Sequence, residues 1–89
     1  MTEEPRTLLR LLSREDCHLC EIAQRDLEVL GARFEVVDID RDDDPTLLER
    51  YNDVIPVVLY GELEIARAPI DRKGLQKALE RLKLTGARR

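Results

Sequence analysis

The chain has two cysteines, Cys17 and Cys20, set in the run Cys17-His18-Leu19-Cys20. Two cysteines placed at random in 89 residues fall at this separation about one time in forty-five, so the spacing is a signal. Thiols this close can close a disulfide, exchange it with another thiol, or share a metal ion. Exchange requires one thiol to ionise near neutral pH and the second to lie within reach of it. Arg14 and a protonated His18 favour a thiolate at Cys17, whereas Glu15 and Asp16 oppose it.

Two other uses of the pair compete with exchange. A permanent staple across so short a loop removes only about 2 kcal/mol of unfolded-state entropy, and stabilising disulfides usually span longer loops. A closed zinc site needs four ligands, and two Cys with one His fall short unless a carboxylate joins or two chains pool their cysteines. A non-catalytic binding module, or a carrier of a metal or iron–sulfur centre shared in a dimer, is therefore the alternative to exchange chemistry. No residue set is assigned as a metal site. The acidic run Asp38 to Asp44 lacks the Gly and the final Glu of a calcium loop and reads as a solvated turn.

The elements that must position the thiols can be read from patterning. The apolar run Arg6 to Leu12 predicts a buried strand, closed by Ser13-Arg14-Glu15-Asp16. A helix follows, capped by Asp16 or Cys17, with Leu19, Ile22, Ala23, Leu27 and Leu30 on its inner face and Gly31 ending it. This sets Cys17 at a helix N-terminus, where partial positive charge and unpaired N–H groups lower a thiol pKa from about 8.5. Cys20, one turn in, is expected to be more buried. Cys17 is thus the expected nucleophile and Cys20 the resolving thiol.

Phe34 to Ile39 predicts a second strand. Asp44 with Pro45 marks a short helix that turns Leu47, Leu48 and Tyr51 inward and breaks at Asn52-Asp53. Val54 to Tyr60 and Leu63 to Ala66, joined by Gly61-Glu62, predict a hairpin. Asp71 caps a last helix with Leu75, Ala78, Leu79 and Leu82 on one face and a basic outer face. The order β-α-β-α-β-β-α implies an α/β fold, a mixed four-stranded sheet with flanking helices.

Composition bounds the rest. With 89 residues there is room for a single domain over 1–89, its core about 6–84, with 1–5 and 85–89 as loose ends. The net charge of −4 and the scattered basic residues argue against nucleic acid as a partner, and Arg88-Arg89 is too short for a binding arm. No apolar run approaches the roughly 20 residues of a membrane span. The acidic start Met1-Thr2-Glu3-Glu4-Pro5 is unlike a secretory signal, which gives a soluble, cytoplasmic protein as the expectation. In a reducing compartment a cysteine pair is more often redox-active or metal-binding than structural. A monomer is expected. No phosphate loop or nucleophile elbow supplies a rival chemistry.

Cys-x-x-Cys after a first strand, Ser13-Arg14 before it and Ile55-Pro56 opening a third strand resemble the thioredoxin fold, above all its glutaredoxin branch. The likeness covers about residues 6–84 and is nearest to the small bacterial glutaredoxin-like proteins. Thioredoxins are less similar, since they carry a Trp before the first Cys and this chain has none. The resemblance implies a disulfide oxidoreductase with Cys17 and Cys20 as catalytic residues. It places Arg14, His18, Leu19, Ile55 and Pro56 against the substrate. It also implies a cis Ile55–Pro56 bond facing Cys17, which frees the Ile55 backbone to pair with an extended substrate. Partners would be a protein or small-molecule disulfide and, as electron donor, a reductase or glutathione, with no bound cofactor. Two departures are plain. The Gly-Gly that precedes Asp where glutathione docks in glutaredoxins is replaced within Ile65-Ala66-Arg67-Ala68-Pro69-Ile70-Asp71, so these residues do not carry glutathione binding over. His18-Leu19 stands where glutaredoxins often have Pro-Tyr, so the reduction potential does not carry over either.

Overall fold

In a computed structural model, residues 8–82 are described. The expected strand start at Arg6, the outer limits of the core at 6 and 84, and both loose ends lie outside them. The order is β1 (Leu9–Ser13), α1 (His18–Val29), β2 (Phe34–Asp38), α2 (Pro45–Tyr51), β3 (Val57–Tyr60), β4 (Leu63–Arg67) and α3 (Arg72–Leu82). This is the β-α-β-α-β-β-α order expected of the thioredoxin fold.

The sheet runs β2-β1-β3-β4. β1 and β2 are parallel, with Leu9 opposite Phe34 and Ser13 opposite Asp38. β3 lies antiparallel to β1, with Leu12 opposite Val57, and β4 antiparallel to β3. The pleat sorts the apolar side chains onto two faces. Leu9, Leu11 and Val58 pack with Ala23 and Leu27 of α1 and Leu75 and Leu79 of α3. Leu12, Val57 and Leu59 point the other way, against Ile39, Leu47 and Tyr51. The sheet is thus covered by α1 and α3 on one side and α2 on the other. Both faces of its central strands are buried.

Local chemistry fixes the element ends. Gly31, at φ 75, follows the C-cap Leu30; its N–H bonds to Glu28 and the Ala32 N–H reaches back to Leu27, closing a Schellman turn. The Asp44 carboxylate accepts from the Thr46 N–H at 3.0 Å, with Pro45 in the first turn. Asp71 accepts from the Gly74 N–H at 2.7 Å and starts α3.

Several boundaries and faces differ from expectation. β1 begins at Leu9 and extends to Ser13, because pairing with β2 continues to Asp38. β2 stops at Asp38, short of the expected Ile39. β3 begins at Val57, not Val54: Pro56 has no N–H to give the ladder, and Val57 is the first residue opposite both Leu12 and Arg67. β4 reaches Arg67, one residue beyond expectation, with a bulge between its pairings to Val58 and Leu59. Leu19 and Ile22 are not core residues; they are 58% and 41% exposed, since α1 turns the narrower stripe of Cys20, Ala23 and Leu27 to the sheet. Leu48 is likewise exposed, while Leu47 and Tyr51 are buried.

Candidate active site

The parallel pairing of β1 and β2 and the antiparallel pairing of β3 bring three segments to one end of the sheet: the exit of β1, the exit of β2 and the approach to β3. The cysteine pair lies in the first. Asp16 takes φ 61, a left-handed conformation that Asp tolerates, and turns the chain from β1 into α1. Cys17 is the N-cap of α1, and its Sγ accepts from the Cys20 N–H at 3.2 Å. Cys17 and Cys20 are joined as a disulfide with Cα atoms 5.2 Å apart. Cys17 is half-buried and Cys20 is 2% exposed. The pair is thus asymmetric: one sulfur faces outward at a helix N-terminus, and the other is covered by the core.

Arg14 is engaged on two sides. Its Nη2 and Nε bond to the two carboxylate oxygens of Asp40 at 2.7 and 2.9 Å, and it also reaches the Asn52 side chain and carbonyl. This one guanidinium ties all three segments together. It also holds the Asp40 carboxyl below the usual carboxylate range. Arg41 crosses the same space, bonding Glu15 at 2.9 Å and lying 3.9 Å from Asp38. His18 is exposed, its Nδ1 3.8 Å from Glu21. Leu19 projects into solvent beside it.

Ile55 and Pro56 approach the same end from β3. The Ile55–Pro56 bond is cis, as is Ala68–Pro69. The Pro56 carbonyl accepts from the Ala68 N–H at 2.9 Å, which ties this approach to the exit of β4. Neither backbone group of Ile55 has a hydrogen-bond partner among the described residues.

Beyond β4, a shallow groove of about 210 Å³ is lined in part by Arg67, Ile70, Asp71 and Gly74. Arg67, the one cation among the lining residues, is already bidentate to Glu64 at 2.6 and 2.8 Å. Asp71 is occupied by its capping role. Among the described residues, no group of three or more His, Cys, Asp or Glu side chains is placed to hold a metal ion, and no helix is long and apolar enough to cross a membrane.

One residue escaped the sequence reading. Asp26 is 6% exposed on the inner side of α1 and accepts from Arg72 Nε of α3 at 3.1 Å. A charged residue in an amphipathic helix reads as outward-facing, and its partner lies 46 residues away. Nothing local signals the pair.

The family model of the glutaredoxin-like domain (DUF836) matches residues 8–80, nearly all of the described chain. The chain belongs to this glutaredoxin-like family. Among solved structures, it is similar to target protein XcR50 from X. campestris, at 32% identity and a TM-score of 0.71, over 82% of this chain and 96% of that one. Protein Ne2328 from Nitrosomonas europaea matches at 28% identity and 0.64, over 86% and 96%. The buckwheat glutaredoxin–glutathione complex matches at 21% and 0.55, over 85% and 71%, a likeness of fold alone. No curated protein matches. A glutaredoxin-like fold and a Cys17–Cys20 pair at bonding distance give the site a redox character.

Proposed function

We propose that the chain is a thiol–disulfide oxidoreductase working by a dithiol mechanism, with Cys17 as nucleophile and Cys20 as resolving thiol. The observation that carries this reading is the asymmetry of the pair: Cys17 caps α1 and accepts the Cys20 N–H, while Cys20 is buried beneath it. In the reduced protein the same N–H and the helix N-terminus stabilise a thiolate on Cys17 and lower its pKa. The thiolate attacks one sulfur of a substrate disulfide. A Cys17–substrate bond forms, the substrate disulfide breaks, and one substrate thiolate leaves. Cys20 then gives up its proton and attacks Cys17, forming the Cys17–Cys20 disulfide and releasing the second substrate thiolate. Two electrons have passed to the substrate, and a thiol donor, a reductase or glutathione, returns them.

Ile55, Pro56, His18 and Leu19 supply the contact surface in this reading. The open N–H and carbonyl of Ile55 suit main-chain pairing with an extended substrate beside a cis Pro56. Arg14 acts through Asp40 and Asn52, holding the loop that carries Cys17. A protein or small-molecule disulfide is the substrate class.

Trapping tests the assignment. Cys20→Ser is expected to accumulate a mixed disulfide on Cys17 when mixed with a disulfide substrate, and Cys17→Ser is expected to form none and to lose reduction activity. Full activity in Cys17→Ser overturns the choice of nucleophile. Visible absorbance or a metal-dependent dimer in the purified protein, without exchange, favours the binding-module alternative.

A further inference from the structure

The charge around the disulfide is lopsided. Segments 14–21, 38–44 and 52–53, gathered at one end of the sheet, hold nine Asp and Glu residues against Arg14 and Arg41, a formal charge of −7 where the whole chain carries −4. Both arginines are engaged, Arg14 by Asp40 and Arg41 by Glu15. Away from these segments, Arg67 is paired with Glu64 and Arg72 with Asp26, while Lys73, Lys77 and Arg81 of α3 have no ion-pair partner among the described residues. On α1, the helix that Cys17 caps, Leu19 and Ile22 form an exposed apolar step, Leu19 between Asp16 and Glu21 in sequence and Ile22 directly after Glu21.

We propose that the partner of this site is a protein whose disulfide lies on a cationic surface next to an apolar side chain, seated on Leu19 and Ile22 and steered by the acidic segments. The inference rests on the exchange reading above and narrows it to a substrate class. Charge complementarity selects the occupant. An approaching anion, including a small acidic thiol or its disulfide, meets like charge. A basic surface is drawn in, and such steering raises association rates by about ten- to a thousandfold at low salt. The apolar step then loses water only when a partner side chain covers it. The chemistry is the two-electron exchange already written: the reduced protein is oxidised to the Cys17–Cys20 disulfide, and the partner's disulfide leaves as two thiols.

The test uses the full chain, reduced with a dithiol and freed of it. It is mixed with two peptides, each closed by one disulfide, one flanked by Leu and Lys and the other by Leu and Glu. Rates are read by acid quench and mass spectrometry and divided by the rate of each peptide with a neutral dithiol, which removes intrinsic reactivity. The cationic peptide is expected to react at least about tenfold faster at roughly 10 mM salt, and the two rates to converge near about 300 mM. The pair of substitutions Asp16→Asn and Asp43→Asn is expected to shrink the ratio at low salt. Equal normalised rates at low salt, or a preference for the acidic peptide, overturn the proposal while leaving exchange itself standing. No exchange with either peptide removes the oxidoreductase reading and the proposal together.

Discussion

Arg14 and Asp40 form a two-point ion pair, Nη2 to Oδ1 at 2.7 Å and Nε to Oδ2 at 2.9 Å, joining the exit of β1 to the exit of β2. Both side chains are partly exposed, so the pair adds little to stability. Its effect is on position and charge. The guanidinium three residues before Cys17 is held and compensated by a carboxylate.

Removing that compensation has a readable consequence. Asp40→Asn takes away one negative charge and leaves Arg14 unneutralised near the loop, which favours the thiolate. The pH midpoint of iodoacetamide alkylation of Cys17 in the reduced protein is expected to move to lower pH. A midpoint that stays put or moves to higher pH contradicts the role given to the pair.

The core and the exposed step of α1 make opposite predictions for two leucines on one helix. Leu27 is fully buried between α1, α3 and the sheet, so Leu27→Ala leaves a cavity and is expected to cost about 2–5 kcal/mol. Leu19 is 58% exposed, and Leu19→Ser is expected to change stability by less than about 0.5 kcal/mol. Denaturant titration of both variants checks the pair of outcomes. A large loss in Leu19→Ser contradicts the outward orientation of Leu19.

Acid has a defined effect with a defined sign. Arg14 holds Asp40 below the usual carboxylate range, Thr46 does the same for Asp44, and Arg67 for Glu64. A carboxyl whose folded-state pKa is depressed stabilises the fold above its unfolded pKa, about 4, and loses that contribution as pH falls through the folded value. These groups therefore add no pH dependence above about pH 5 and cause a loss below about pH 4. Denaturation midpoints between pH 7 and pH 2 check this. Asp44→Asn keeps a capping acceptor but cannot ionise, so it is expected to lessen the acid loss. An unchanged acid slope in that variant contradicts the assignment for Asp44.

Much of this architecture was legible because its signals are local. Asp44-Pro45 and Gly31 mark helix ends whose hydrogen bonds close within a few residues. Cys17-x-x-Cys20 at a strand-to-helix turn placed the outward and buried sulfurs correctly. What sequence patterning lacked was non-local. Helical spacing puts Leu19 and Ile22 on the same broad arc as Ala23 and Leu27, and only the position of the sheet decides how much of that arc is covered. The partner of Arg14 is 26 residues away, and the pairing follows from the parallel register of β1 and β2 rather than from any motif. The start of β3 moved for a covalent reason that Pro56 already carries: it has no N–H for the ladder.

In the proposed mechanism Cys17 and Cys20 cycle between dithiol and disulfide. A redox titration of the purified protein across defined thiol–disulfide ratios, read by alkylation and mass spectrometry, tests it most directly. A reversible Cys17–Cys20 disulfide is expected, with a midpoint between about −120 and −270 mV, the range of working thiol–disulfide enzymes. A pair that never closes, or one that resists reduction below about −300 mV as structural disulfides do, would contradict it.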